Sequence, residues 1–258
     1  MIEKISIEGI KDISIKAGAA IMEVYGTDFE VDVKSDDSPL TEADRRSNTV
    51  IVAGLSELYP NIPILSEEME AADYSTRRDW DYFWLIDPLD GTKEFVKKNG
   101  EFTVNIALVS GGVPVLGVVY QPVGENLFWA KQGEGAWKSV ADATSVKLEG
   151  GPHYSTLTEV TVVASRSHLS DDVRKFVAGL KEEGKKVEFL SAGSSLKLCL
   201  VAEGSADVYP RLGPTMEWDT GAAHAVAAEA NRRVTNYETG EPLRYNKENL
   251  LNPFFIVQ

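Results

Sequence analysis

Residues 82–92 read Tyr82-Phe83-Trp84-Leu85-Ile86-Asp87-Pro88-Leu89-Asp90-Gly91-Thr92. Five bulky apolar and aromatic residues in succession describe a strand buried in a core, and that strand runs straight into two aspartates. Pro88 biases Asp87 toward an extended backbone and Gly91 permits a sharp turn, so both carboxylates and the Leu89 carbonyl can face one small volume. A hard divalent cation takes such an oxygen set, and Mg²⁺ takes it octahedrally with waters completing the shell. The same five residues, D-P-x-D-G, also make a good turn with no further purpose. The burial of the preceding strand favours the cation, because carboxylates at the edge of a core are costly unless something positive compensates them.

Working outward, two further acidic elements sit at the ends of predicted elements: Ser66-Glu67-Glu68 after an apolar strand, and Glu217-Trp218-Asp219 before an alanine-rich helix. Asp219 there is also an ordinary helix N-cap candidate. The spacing of Ile2, Ile5, Ile13, Ala17, Ala20, Ile21 and Val24 predicts an amphipathic helix over 2–25, ending before Gly26. Phe29, Val31 and Val33 alternate with charged residues as a strand does, and a second helix starts at the capping residue Thr41 and runs to Pro60. Residues 62–137 are strand-rich, with FTVNIALVS-GG-VPVLGVVY reading as a hairpin on a glycine turn. After a polar stretch near 139–156, short strands alternate with helices over 170–182, 194–203 and 218–230, which makes the second half α/β. The boundary is placed near residue 145, giving a 1–145 α+β subdomain with most of the candidate metal ligands and a 146–258 α/β subdomain with the candidate ligand-contacting segments and Asp219, with an interface between them.

The 258 residues are 43% hydrophobic, ample for a packed core. Forty acidic residues against 26 basic ones leave a formal net charge of −14. That field repels nucleic acid polymers and anionic membrane surfaces, so an anionic substrate needs local positive charge, and bound cations are its simplest source. A single cysteine, Cys199, excludes an intramolecular disulfide and lies in an apolar helical stretch, where a free thiol is a small core residue rather than a nucleophile. The N-terminus lacks the uninterrupted apolar run of a signal peptide or membrane span, and the protein is read as cytoplasmic.

Several of these segments, in order and spacing, resemble the signature segments of the inositol monophosphatase superfamily: LSEE at 65–68, WLIDPLDGTKEF at 84–95 and EWDTGAAHA at 217–225. SPLTEAD at 38–44, NGEFTVNIALV at 99–109, SRSH at 165–168, GSSLKLCLVAEGSADVYPR at 193–211 and the terminal LNPFF are similar to its bacterial 3′(2′),5′-bisphosphate nucleotidase branch. The resemblance implies a layered α-β-α-β-α sandwich and two or three Mg²⁺ ions per site. It implies metal ligands at Glu67, Asp87, Asp90 and Asp219 and the Leu89 main-chain oxygen, with Asp87 bridging two ions. It also implies that Asp44 and Thr92 form a hydrogen-bonded pair orienting the attacking water, beside Glu67. Gly91 and Thr92 would open a short helix facing the phosphate, and Glu68 would stand one step back. The segment reads WDTGAA where the family more often has alanines before the glycine, which bears on the packing of that helix.

Phosphate-monoester hydrolysis demands a barrier reduction on the order of 20 kcal/mol. No single side chain supplies it, so direct attack by metal-activated water is expected rather than a phosphoenzyme. The resemblance implies hydrolysis of the 3′-phosphate of adenosine 3′,5′-bisphosphate, or of its sulfated form, and sensitivity to lithium. A second phosphate needs cations and hydroxyls away from the metals. In the nucleotidase branch the segments carrying Ser194, Lys197 and Arg211 are associated with the remote 5′-phosphate, and His168, close to Arg166, with the nucleoside. Solvated lysine, surface ion-pair arginine and exposed histidine are the plain alternatives for these residues; His153 and His224 read as structural. A same-fold phosphatase acting on inositol monophosphate or a sugar bisphosphate, and a non-catalytic Mg²⁺ and nucleotide sensor, are the rival functions. The partner called for is a small phosphorylated nucleotide, with no obligatory protein partner, in a monomer or homodimer.

Overall fold

The computed structural model describes residues 1–28, 31–33, 39–141, 143–164 and 170–258, with the side chains of 32, 33, 39 and 40 left aside. In chain order the elements are α1 (Ile7–Tyr25), β1 (Val31–Val33), β2 (Pro39–Thr41), α2 (Glu42–Leu58), β3 (Ile64–Ser66), α3 (Tyr74–Arg77), β4 (Tyr82–Asp90) and α4 (Thr92–Val96). They continue through β5 (Thr103–Ser110), β6 (Val113–Gln121), β7 (Asn126–Lys131), β8 (Gly135–Val140), β9 (Val146–Leu148) and β10 (Glu159–Ala164). The last are α5 (Asp171–Glu182), β11 (Lys186–Ser191), α6 (Leu196–Ala202), β12 (Tyr209–Arg211), α7 (Gly221–Glu229), β13 (Val234–Asn236) and β14 (Phe255–Val257).

Strands β3 to β9 form one seven-stranded sheet in sequence order, antiparallel except for the β3–β4 pair. The predicted hairpin is there: Gly111 and Gly112 take φ of 56° and 75°, the left-handed pair that a tight turn between twisted strands needs. Helices α1 and α2 cover one face, burying Ile10, Ile13, Ala17 and Ile21 of α1 and Ile51 and Leu55 of α2 against β4, β5 and β6. The other face takes α7, whose Gly221 to Ala227 are all buried. Such a helix has no polar side because it lies between two layers. Small residues let it approach closely, and a Cβ on Gly117 of β6 would stand 2.1 Å from the Ala222 carbonyl oxygen.

Beyond α6 and α7 come the three-stranded β12-β14-β13 sheet and the parallel β10-β11 pair, with α5 packed against β11 and β12. The order of layers is helix, sheet, helix, sheet, helix, the sandwich that the sequence implied. One core cluster joins Leu65, Phe83 and Ala107 from the large sheet with Cys199, Ala223 and Phe255 from the second half. Cys199 is fully buried, and burial pushes its thiol far above the ordinary range, so it is a core residue and no nucleophile.

The N-terminal helix begins later than its apolar spacing suggested. Residues Ile2–Lys4 make a separate 3-10 turn, and α1 starts after Ser6, whose side chain accepts from the Gly9 N–H at 3.2 Å. Strands β8 and β9 extend the sheet into the stretch read as polar. Phe29 and Glu30 of the predicted second element lie outside the described residues.

Candidate active site

Strand β4 delivers Asp87 to the end of the large sheet, and the D-P-L-D sequence then breaks the ladder. Asp87 pairs with Asn105 and Asp90 with Thr103, with a register shift between them, as expected where Pro88 cannot donate. Asp87 Oδ1 accepts the Leu89 N–H at 3.0 Å, which curls the chain, and Gly91 at φ 91° completes the turn into α4. Strand β3 lies parallel to β4, and the Glu67 N–H continues that pairing onto the Ile86 carbonyl at 3.1 Å. From the other half, Asp219 sits in the turn before α7, its Oδ2 accepting the Met216 N–H at 2.9 Å. Thr220, not Asp219, occupies the N-cap position.

These three routes converge. Carboxylate oxygens of Glu67, Asp87 and Asp219 all lie within 4.8 Å of one another. Burial raises Asp87 well above the usual carboxylate range, with the charges of Glu67, Asp90 and Asp219 adding to it. Asp219 is raised likewise, by burial and then by Asp90. Asp90, whose Oδ2 accepts the Ser195 N–H at 2.5 Å, is raised to about 6 by burial, against the opposing pull of Lys197. Three aspartates whose ionisation is disfavoured, with Glu67 beside them and all offering hard oxygens, fit a divalent cation such as Mg²⁺. The Leu89 carbonyl lies in the same turn, 3.3 Å from Thr92 Oγ1, as an alternative acceptor for the one hydroxyl proton that Thr92 carries.

Helix α2 buttresses this turn. Its N-cap Thr41 and Asp44 form a capping box in which Asp44 Oδ2 accepts both the N–H and the hydroxyl of Thr41 at 2.7 Å. The other oxygen, Oδ1, accepts the Thr92 hydroxyl at 3.3 Å, so the Asp44–Thr92 pair is present, with Asp44 buried and Thr92 partly so. One turn further, Ser47 donates to the Pro88 carbonyl at 2.7 Å. Asn48 Oδ1 accepts from Ser66 at 2.7 Å, next to Glu67. Neither Ser47 nor Asn48 was singled out in the sequence, although both stand at helical spacing from Asp44.

Beside the cluster opens a cavity of about 330 Å³ lined by Asp90, Gly91, Ser194, Lys197, Arg211 and Asp219 among others. Lys197 is 7% exposed; its ammonium makes only a long 3.5 Å contact to the Ala192 carbonyl and lies over the Tyr209 ring at 5.7 Å. Arg211 donates from Nη2 to the Pro214 carbonyl at 2.8 Å, while its Nε is buried without a hydrogen-bond partner. Lys93 and Lys97 of the α4 segment also line this space and were not singled out in the sequence. All six lining residues named first are ones the sequence assigned, Gly91, Ser194, Lys197 and Arg211 to substrate and Asp90 and Asp219 to metal; His168 and Arg166 lie outside the described residues. Glu68 donates its N–H to Ser66 Oγ at 3.3 Å. His153 is exposed near the C-terminus, bonded to Ser155 and Gln258, and His224 is buried against Tyr245 at 2.9 Å, both away from the carboxylates.

Comparison with known proteins accords with this arrangement. The family model of the inositol monophosphatase family matches residues 6–253. The 3′(2′),5′-bisphosphate nucleotidase CysQ of Salmonella typhimurium is 46% identical over 97% of this chain and 98% of its own length. The protein of the same name from Escherichia coli K12 is 47% identical over 93% of this chain and 94% of its own. The crystal structure of CysQ from Bacteroides thetaiotaomicron, described as a bacterial member of the inositol monophosphatase family, superposes with a TM-score of 0.86 at 47% identity, covering 97% of this chain and 96% of that one. With the carboxylates gathered where the shared segments meet and nearly the whole length matched, the chain belongs to the inositol monophosphatase family.

Proposed function

We propose that this protein is a Mg²⁺-dependent phosphomonoesterase that removes the 3′-phosphate of adenosine 3′,5′-bisphosphate, giving adenosine 5′-monophosphate and phosphate. One observation carries the reading: a carboxylate cluster suited to cations directly adjoins a cavity walled by Lys197 and Arg211. In a chain of net charge −14, two such unlike subsites side by side suit a ligand with two anionic groups, one that reacts and one that is only held. The names of the relatives point the same way.

In this reading Glu67, Asp87, Asp90, Asp219 and the Leu89 carbonyl hold Mg²⁺. The cation, when bound, supplies charge neutralisation at the phosphate and acidifies water. Asp44 accepts a hydrogen bond from the Thr92 hydroxyl and so turns the Thr92 oxygen lone pairs toward a water; Glu67 takes up the proton that this water loses. Gly91 and Thr92, at the opening of α4, face the reacting phosphate. Ser194, Lys197 and Arg211 take the 5′-phosphate, and His168 is assigned to the nucleoside side. The division near residue 145 then places Glu67, Asp87 and Asp90 on one subdomain and Asp219 with the 5′-phosphate wall on the other, so substrate bridges both.

The test is phosphate release with Mg²⁺ from adenosine 3′,5′-bisphosphate, inositol 1-phosphate and fructose 1,6-bisphosphate. The nucleotide should be turned over with kcat/KM at least tenfold above either sugar phosphate. Preference for a sugar phosphate would assign a different substrate to the same site, and release from none would leave only binding.

A further inference from the structure

Behind the carboxylates, three buried polar side chains close a ring. Ser195 Oγ donates to Asn105 Oδ1 at 2.7 Å, Asn105 Nδ2 donates to Thr103 Oγ1 at 3.1 Å, and Thr103 lies 2.9 Å from Ser195 Oγ. Since the one Ser195 hydroxyl proton is committed to Asn105, Thr103 is the donor in the third bond, which at 2.9 Å is shorter than its alternative to Ser194 Oγ at 3.3 Å. Every member then gives and receives once around the ring, the arrangement in which hydrogen bonds polarise one another. All three are at most 1% exposed, so the ring sits where unmet polar groups would be costly.

Its position is what gives it a consequence. Asn105 and Thr103 are the β5 partners of Asp87 and Asp90. Ser195 belongs to a turn from the other half of the chain, and its backbone N–H is the donor to Asp90 Oδ2. That turn is tightly constrained. Ser194 holds φ 45°, a left-handed conformation that a non-glycine residue adopts only when its surroundings impose it, and a Cβ on Gly193 would lie 2.6 Å from the Glu101 carbonyl oxygen. Immediately after the turn, α6 begins and carries Lys197 to the cavity.

We propose that Thr103, Asn105 and Ser195 are positioning residues for the cation centre: the ring fixes the 193–195 turn, the turn fixes one oxygen of Asp90, and Oδ1 is left as the oxygen available to Mg²⁺. The inference rests on the reading of Asp90 as a metal ligand. None of the three touches cation or substrate in this scheme.

Thr103→Val is nearly isosteric and deletes only the hydroxyl, whereas Thr103→Ser keeps it. Mg²⁺ affinity is measured calorimetrically on the metal-free protein, together with the unfolding midpoint and turnover at saturating Mg²⁺. Thr103→Val should bind Mg²⁺ roughly ten- to a hundredfold more weakly, the range typical of residues that orient metal ligands, and Thr103→Ser within about twofold of the parent. Turnover should be largely restored by raising Mg²⁺. If Thr103→Val does not fold, Ser195→Ala, which retains the backbone N–H to Asp90, carries the same expectation. A folded variant without the ring that binds Mg²⁺ like the parent, or equal weakening by Thr103→Ser, overturns the proposal while leaving the phosphatase reading intact. A parent that binds no Mg²⁺ overturns both.

Discussion

Lys197 is nearly buried, yet among the described residues its ammonium has no carboxylate at ion-pair distance; its charge acts on Asp90 from further off, and its contacts are a long one to a carbonyl and the face of Tyr209. A desolvated cation held this way is prepared for an anion that arrives with the ligand. If that anion is the 5′-phosphate, the contact is the same before and during reaction at the 3′ end, so it contributes uniform binding. Lys197→Ala should therefore raise KM for the bisphosphate more than it lowers kcat. The expected loss in kcat/KM is roughly ten- to a hundredfold, from the about 1.5–3 kcal/mol of a charge-assisted hydrogen bond. Adenosine 3′-monophosphate, lacking the second phosphate, should be hydrolysed equally by variant and parent. Steady-state kinetics on both substrates check this, and equal damage to both would place Lys197 in the reaction centre or the fold.

Helix α7 shows how an element is set by what surrounds it. Its sequence has nearly equal apolar character on all sides, and the approach to Asp219 depends on its seating against β6 at Gly117. Gly117→Ala would drive a methyl into the Ala222 backbone, which no side-chain rotation relieves, so a destabilisation of about 3 kcal/mol is expected from overpacking, measurable by urea unfolding. Unfolding at the parental midpoint would mean that α7 can shift without cost. The sequence overran this helix, predicting 218–230 where α7 spans Gly221–Glu229. Residues 218–220 turn instead, because the Glu217 carbonyl accepts the N–H groups of Thr220 and Gly221 and Asp219 folds back to Met216. Strands β8 and β9 were missed for a different reason. Each buries a single side chain, Ala136 and Leu148, so these last two strands of the sheet carry almost no alternation to read. The buried strands β4, β5 and β6 were legible because their apolar runs are dictated by two covered faces. In the site, Asp44, Thr92 and the four carboxylates were legible through shared segments. The Thr103, Asn105 and Ser195 ring was not, since its members look like ordinary strand and turn residues until the halves meet.

At the scale of the whole molecule, the acidic centre is a liability that a bound cation would relieve. Asp87 and Asp219 have folded-state pKa values well above 3.8, and Asp90 stands at about 6. Between the unfolded value and these raised ones the native protein binds more protons than the unfolded chain, so these groups lower stability as pH rises through that window. His224, depressed to about 4 by burial, acts oppositely over pH 4–6.5, because there the unfolded chain binds the extra proton. The difference between unfolding temperatures with and without Mg²⁺ cancels His224, which is not one of the clustered groups. That difference should be small at pH 5, where the carboxylates hold protons, and grow toward pH 8; a shift independent of pH would mean the carboxylates do not bind the ion. No helix among the described residues is long and apolar enough to cross a membrane. The site joins unlike surfaces, the carboxylate cluster on one side and Lys197 with Arg211 on the other, and the central claim is that a bisphosphate lies across both in one orientation. Separating the nucleoside monophosphates formed from adenosine 3′,5′-bisphosphate in the presence of Mg²⁺ tests it directly: adenosine 5′-monophosphate alone is predicted, whereas adenosine 3′-monophosphate, or a mixture of the two, would contradict it.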